Sequence, residues 1–580
     1  MTRLNRLIPA SIWLKDYTRA DMQTDMMASI IVTIMLIPQS LAYAMLAGLP
    51  PAVGLYASIL PLIAYALFGS SRTLAVGPVA VVSMMTGTAA LQFATPNTAE
   101  YLTVVILLAA ISGLFLLLMG LLKLGFLANL LSHPVISGFI SASAILIALG
   151  QAKHILGIQA SGHNLIEMLE TIWYNLSTTN LITVCIGLGA IVALHLLRHY
   201  FKHILITFGL SHHQAQLASK AGPVLVVVIA TLIVAALQLN KAGVKIVGDV
   251  PSGFPPLALP SMDFYLALDL LPAAILISIV GFVESVSVAQ SFAAKRRQSI
   301  DPNQELIGLG AANLSSAFSG GFPVTGGFSR SVVSFDAGAK TPMTGVFTAI
   351  LILLTLSFLT GAFYYLPKAV LAATIIVAVL QLIDIKGLIE IWRYSKQDAS
   401  ALLATFLVVL LVGVEAGIIT GVSLSLLLFL WHASHPHIAV VGRVAGTEHF
   451  RNVERFQVET TNDLLTIRID ESLFFANARV LEDRITQLIA KNKEVKDVVL
   501  MCTAVNMIDA SALESLEMIC ERLHSAGIRL HLSEVKGPVM DRLKGSTLIS
   551  HLSGNIYLTQ NQAFEDICSK EEWSYDHPSS

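Results

Sequence analysis

Two short segments place glycine, proline and small side chains where backbone amides could hold an anion. The first runs Ser71-Arg72-Thr73-Leu74-Ala75-Val76-Gly77-Pro78-Val79-Ala80-Val81-Val82-Ser83. The second runs Gly320-Gly321-Phe322-Pro323-Val324-Thr325-Gly326-Gly327-Phe328-Ser329-Arg330-Ser331. They lie about 250 residues apart, each a few dozen residues after a long apolar stretch, as an inverted repeat would place them. In each, Gly and Pro interrupt the backbone before a run of small residues begins, and Pro78 suits a first helical position, where its missing N–H costs nothing. A helix that starts inside a membrane presents free N–H groups and the positive end of its dipole. Two such ends facing each other make an anion site that needs no bound metal. The bland alternative is a pair of Gly/Pro kinks in packed helices.

Glu284 lies inside the apolar run Leu271–Ala294, where an ionisable group is costly and turns towards a cavity or a partner. It is a candidate proton carrier, the alternative being a structural hydrogen bond or an ion pair, for instance with Arg330. Arg330, just past the second break, either draws anions to the site, balances Glu284, or snorkels from a helix end. Asp336 and Glu415 fall nearer span ends and read as interfacial charges. Gln39 and Tyr43, in Pro38-Gln39-Ser40-Leu41-Ala42-Tyr43, are four apart and share a helix face. They line a cavity with an amide and a phenol, or merely flank a proline kink.

The elements that must position these residues are membrane spans. The chain has 580 residues, 55% hydrophobic and 13% charged, against the roughly 25% charged that soluble proteins carry. Residues 26–71, 73–99 and 101–122 contain no Asp, Glu, Lys or Arg, and further apolar blocks continue to Leu430. At about 20 residues per span, and counting the two broken segments, about fourteen spans follow. With the N-terminus in the cytoplasm, the inside loops carry Arg72, Lys123, Arg198, Lys202, Lys220, Lys295, Arg296, Arg297, Lys340, Lys386, Arg393 and Lys396. The outside loops carry chiefly Lys153, Lys241, Lys245 and Lys368, an asymmetry that puts both termini in the cytoplasm. No cleavable signal pattern opens the sequence.

After Trp431 the composition changes. A His- and Gly-containing linker leads to a small α/β domain, with strands expected at Phe456–Thr460, Leu464–Ile469, Val495–Cys502 and Ile528–Ser533. Helices are expected at Ala478–Ala490, Ser511–Ser525 and Pro538–Leu543. This alternation implies a mainly parallel or mixed sheet with helices against it. The expected domain bounds are 1–22 for the N-terminal segment, 23–432 for the transmembrane part, 433–452 for the linker, 453–570 for the α/β domain and 571–580 for a polar tail. The net charge of −2 gives no footprint for nucleic acid, and the four cysteines show no metal or CxxC spacing. No cofactor motif and no nucleophile–base constellation stands out, so no enzyme is expected.

The residues resemble the SulP family of anion permeases. The likeness runs through Pro38-Gln39-Ser40-Leu41-Ala42-Tyr43-Ala44, Ala47-Gly48-Leu49-Pro50-Pro51-Ala52-Val53-Gly54-Leu55-Tyr56 and the two broken segments. The C-terminal part is similar to a STAS domain, with Val505-Asn506-Met507-Ile508-Asp509-Ala510-Ser511-Ala512-Leu513 as its signature loop and helix start. The resemblance implies a seven-plus-seven inverted repeat with core and gate subdomains, elevator-like movement of the core, and a homodimer in the cell membrane. It implies an anion site between the third and tenth spans, built from Gln39, Tyr43, Gly77, Pro78, Val79, Ala80, Phe328, Ser329 and Arg330, with Glu284 as the ion-coupling residue. Ser511 matches a position phosphorylated in some soluble STAS relatives, although a Ser at a helix start also serves as an N-cap. The expectation is proton-coupled sulfate uptake. Bicarbonate or C4-dicarboxylate transport, or an anion sensor signalling to a protein partner of the STAS domain, are the alternatives.

Overall fold

The computed structural model describes residues 8–129, 132–160, 162, 164–209, 211–219, 221–260, 263–568 and 574–576. Residues 1–7 of the N-terminal segment, Lys220 and most of the 571–580 tail lie outside them. The chain divides into two units, Met1–Ser425 and Leu426–Ser580.

Fourteen helical segments among the described residues correspond to the expected spans, and eight helical stretches are long and apolar enough to cross a membrane. In the first half they are α1 (Arg19–Leu46), α2 (Pro51–Phe68, interrupted at residues 57–59), α3 (Ala80–Leu91), α4 (Ala99–Leu121), α5 (His133–Leu156), α6 (Leu181–Thr207) and α7 (Gly222–Ala236). The second half holds α8 (Phe264–Lys295), α9 (Pro302–Phe318), α10 (Phe328–Asp336), α11 (Met343–Phe358), α12 (Lys368–Val379), α13 (Lys396–Leu411) and α14 (Val414–Ser434). Two residues precede each short helix as a strand: β1 (Val76–Gly77) before α3 and β2 (Thr325–Gly326) before α10.

Local signals start these helices. Thr18 and Asp21 form a reciprocal capping box at α1, Thr98 caps α4, and Asp301 caps α9 ahead of Pro302. Outward faces carry exposed Leu114, Leu118 and Leu121 on α4 and Leu188, Val192 and Leu196 on α6, as lipid contact requires. Inside, α4 and α9 approach closely because glycines meet there: a methyl added at Gly113 would stand 2.7 Å from the Leu314 nitrogen.

In the C-terminal unit the strands are β3 (Ile438–Arg443), β4 (Phe450–Asn452), β5 (Val458–Thr460), β6 (Leu464–Ile469), β7 (Asp497–Met501), β8 (Arg529–Ser533), β9 (Ile556–Tyr557) and β10 (Ser574–Asp576). The helices are α15 (Ala478–Lys491), α16 (Ala510–Ser525), α17 (Gly537–Leu543) and α18 (Gln560–Cys568). The sheet order is β10-β5-β3-β6-β7-β8-β9, with β4 paired to β3. Strands β6 to β9 are parallel, and β3 runs antiparallel to β6, setting Val440 opposite Ile467. The two-residue period of β7 sends Val498 and Leu500 to the face covered by α15, α16 and α17, and Val499 and Met501 to the face covered by α18.

The expected linker at 433–452 is a correction, since it supplies β3 and β4 to this sheet. His and Gly in the stretch conceal the six-residue Ile438–Arg443 strand, whose identity comes from distant partners in β5 and β6 rather than from local composition. The remaining expected strands and helices of this unit appear within a few residues of their expected ends.

Candidate functional site

Strands β1 and β2 pair antiparallel, with Val76 opposite Gly326 and Gly77 opposite Thr325, so α3 and α10 start from one shared ladder. The Gly327 N–H donates to the Ala75 carbonyl at 3.0 Å, and the Ala75 N–H donates to Ser331 Oγ at 3.0 Å. Helix α8 fastens this crossing. Thr325 Oγ1 donates to the Gly281 carbonyl at 2.6 Å, and the Gly326 N–H donates to Ser285 Oγ at 2.8 Å.

Both half-helices start without a side-chain cap. Extended Val79 is the N-cap of α3 and extended Gly327 that of α10. Pro78 therefore precedes the cap rather than occupying the first helical position expected for it. The first-turn N–H groups of Ala80, Val81 and Val82, and of Phe328, Ser329 and Arg330, have no intrahelical acceptors.

Arg330 is folded back over the crossing and is 3% exposed. Its Nη1 donates to the Pro78 carbonyl at 2.6 Å. Its Nε and Nη2 are buried without a hydrogen-bond partner among the described residues. Glycine makes room for it: a methyl added at Gly327 would stand 2.8 Å from Nη2, and one at Gly77 3.4 Å. A guanidinium with unmet donors in a dry interior is expensive unless an anion completes it. The snorkelling alternative is thereby set aside, because the side chain is buried and turned onto Pro78.

In front of the crossing lies a cavity of about 580 Å³. Its walls include Pro38 and Gln39 of α1, Phe328 and Ser329 of α10, and residues of α6, α7 and α12. Gln39, Phe328 and Ser329 thus share one space, while Tyr43, one turn beyond Gln39, is buried and does not line it. Gly77, Pro78, Val79, Ala80 and Arg330 are buried and are likewise not among its lining residues.

Glu284 is not brought into that cavity. It is half-buried and lines a separate space of about 30 Å³ with Val81, apolar residues of α5 and α14, and Thr405 of α13. No ion pair joins it to Arg330 among the described residues, although the two lie within electrostatic reach. The space has room for about one water.

Two buried carboxylates escaped the sequence reading. Glu305 accepts hydrogen bonds from the Tyr65 hydroxyl at 2.7 Å, Ser70 Oγ at 2.6 Å and the Ser70 and Ser71 N–H groups at 2.8 Å, anchoring the approach to β1. Asp25 accepts from the Lys340 N–H at 2.7 Å and from Thr341 Oγ1 at 2.5 Å, tying α1 to the segment after α10. Each stands at the edge of an apolar run, where composition alone reads a charge as interfacial. The signal available was the Ser and Thr donors near the matching breaks.

In the C-terminal unit, Asp509 caps α16 by accepting from the Ala512 N–H at 2.8 Å. Ser511 is the second helical residue, exposed, and not the N-cap expected of it.

Paired half-helices crossing among long apolar helices define a polytopic helical membrane protein, followed in the chain by a small α/β domain. Residues 22–405 match the sequence model of the sulfate permease family and residues 455–563 that of the STAS domain. The chain belongs to the sulfate permease family. It is 37% identical to sulfate transporter 4.1, chloroplastic, of Arabidopsis thaliana over 91% of this chain and 78% of that protein. Identity to the probable sulfate transporter 4.2 of the same plant is 35%, over 97% and 84%. Among solved structures, the murine solute carrier 26 family member A9 anion transporter in the inward-facing state superposes with a TM-score of 0.87 at 23% identity, covering 97% of this chain and 94% of that one. The transmembrane domain of the cyanobacterial bicarbonate transporter BicA superposes with a TM-score of 0.59 at 21% identity, covering 70% and 98%. At such identities these likenesses speak to the fold.

Proposed function

We propose that this protein is a secondary active transporter that takes up sulfate with protons, holding the anion between the N-termini of α3 and α10. The observation that carries the reading is Arg330, whose Nε and Nη2 are buried without partners among the described residues, beside two uncapped half-helices. A dianion there accepts from these donors and from first-turn N–H groups, so the crossing is complete only with its ligand. Gln39, Phe328 and Ser329 border the route, with Tyr43 buried one turn behind Gln39 and Gly77, Pro78, Val79 and Ala80 buried beyond the cavity wall. Sulfate is favoured over bicarbonate or a C4-dicarboxylate by the two plant relatives named above as sulfate transporters.

Glu284 carries the coupling proton in this reading. It sits on the same helix that fastens β2 through Ser285, so a change in its charge is felt at the crossing. The cavity includes Arg198, a residue that the distribution of basic loops assigns to the cytoplasmic end of α6, which supports an inward-open state. Both termini then lie in the cytoplasm of a cell whose membrane the chain spans many times. A homodimer, a cytoplasmic protein partner for the STAS domain, and phosphate addition at exposed Ser511 complete the proposal.

The test is radiolabelled sulfate uptake by the full chain in liposomes, with and without an inward proton gradient. Arg330→Gln is expected to lower kcat/KM by about 100-fold. Glu284→Gln is expected to abolish the gradient dependence while sulfate exchange at zero gradient persists. Gradient-driven uptake that survives both substitutions would overturn the reading.

A further inference from the structure

Three of the four lysines assigned to outside loops come together in space. Lys153 and His154 stand at the end of α5, Lys245 in the segment before α8, and Lys368 at the first position of α12. The Lys368 N–H donates to the Lys245 carbonyl at 3.0 Å. Ile246 and Pro367 form an antiparallel bridge, and the Val247 N–H donates to the Leu366 carbonyl at 2.8 Å. This stitch fixes the 245 segment to the start of α12, which packs against α5. His154 lies within electrostatic reach of Lys153, Lys245 and Lys368, and Lys245 within reach of Lys153 and Lys368.

Every contribution at this place has one sign. Among the described residues, no carboxylate pairs with any of the four. Lys153 and Lys368 are half-buried, so water screens the repulsion among the three lysines incompletely, while His154 beside them supplies a ring N–H donor rather than a charge. Lys368 also occupies the N-terminus of α12, where a cation opposes the helix dipole and no side chain caps the free N–H groups. Basic residues are depleted on the outer face, yet here they converge. Repulsion, dipole and location all cost stability, and a bound anion relieves the first two.

We infer that Lys153, His154, Lys245 and Lys368 form a second, outer docking site for a free tetrahedral oxyanion where α5 and α12 meet. The inference rests on the topology and substrate class proposed above. The site captures the anion from solution and raises its concentration at the outer mouth, leaving the central crossing to bind it for transport.

The first arm measures sulfate uptake by the full chain in zwitterionic liposomes. The triple variant Lys153→Gln/Lys245→Gln/Lys368→Gln is expected to raise KM about tenfold at ~10 mM ionic strength with kcat unchanged, the difference vanishing near ~1 M salt. The charge-preserving Lys→Arg triple variant restores the low KM and separates charge from folding. An unchanged KM overturns the inference, as does a KM effect confined to vesicles of anionic lipid, which would assign the cluster to a phospholipid headgroup. The second arm needs no transport. In the Arg330→Gln chain on intact cells, sulfate protects Lys153 and Lys368 from a membrane-impermeant acylating reagent, read by mass spectrometry. Protection without transport in the unsubstituted chain supports the docking site and faults only the transport reading. Labelling that sulfate does not slow overturns the docking site.

Discussion

Arg330 lies in a helix beside a two-stranded ladder and Arg529 opens strand β8, and the two are satisfied in opposite ways. In the STAS domain, Arg529 Nε and Nη2 reach the two oxygens of Asp497 at 2.7 and 2.9 Å. The same carboxylate accepts from His531 Nε2 at 3.0 Å, and His531 Nδ1 accepts from the Asn555 N–H at 2.9 Å, which sets the ring tautomer. Every donor in that cluster named here has an acceptor. At the membrane crossing, Arg330 has a single carbonyl partner among the described residues and two buried donors left over there. A closed network holds a fold, whereas an open one of the same chemistry waits for something to complete it.

The sharpest way to break this contrast is to crowd Arg330 without touching its charge. Gly327 has an ordinary backbone conformation, so Gly327→Ala strains nothing but the guanidinium that its methyl would meet. The expected result is an about 100-fold loss in kcat/KM for sulfate uptake with unchanged thermal stability of the purified chain. A normal rate would mean that the guanidinium position is irrelevant to binding.

Opening the closed network should cost stability instead of transport chemistry. Burial opposes the charge on Asp497, but hydrogen bonds from His531 and Arg529 outweigh it and hold the carboxyl below its ordinary range. A depressed carboxylate contributes stability above its unfolded pKa of about 4 and loses it as the pH falls through the lower folded value. Asp497→Asn is expected to destabilise the domain by about 2 kcal/mol at pH 7 and to flatten the decline in stability below pH ~4. Hydrogen exchange of the β7 and β8 amides in the full chain, followed against pH, reads both effects.

The smallest effects separate a cap from its neighbour. Asp509→Ala removes the acceptor for the Ala512 N–H and should cost about 1 kcal/mol. Ser511→Ala, at an exposed helical position, should change stability by less than about 0.5 kcal/mol. Thermal melts of the two variants check the pair, and equal losses would return the capping role to Ser511.

The spans and both breaks were legible because lipid demands long apolar runs, and because Gly and Pro at matching places leave few other readings. Gln39, Phe328 and Ser329 were found for the same reason, lying on or beside those breaks. Glu284 was legible as a buried charge but not as one facing α5, α13 and α14, since helix rotation depends on packing partners far away in the chain. Glu305 and Asp25 were missed because their donors, Tyr65, Ser70, Ser71, Lys340 and Thr341, come from distant segments. Strand β3 was hidden likewise, its partners lying beyond the reach of local pattern.

The pairing of Val76 with Gly326 and of Gly77 with Thr325 joins one residue from each repeat at every rung. Neither repeat therefore builds this crossing alone. A polypeptide holding one repeat alone could build such a crossing only by meeting a second copy of itself inserted upside down. The ladder that links α3 to α10 makes that meeting within one molecule.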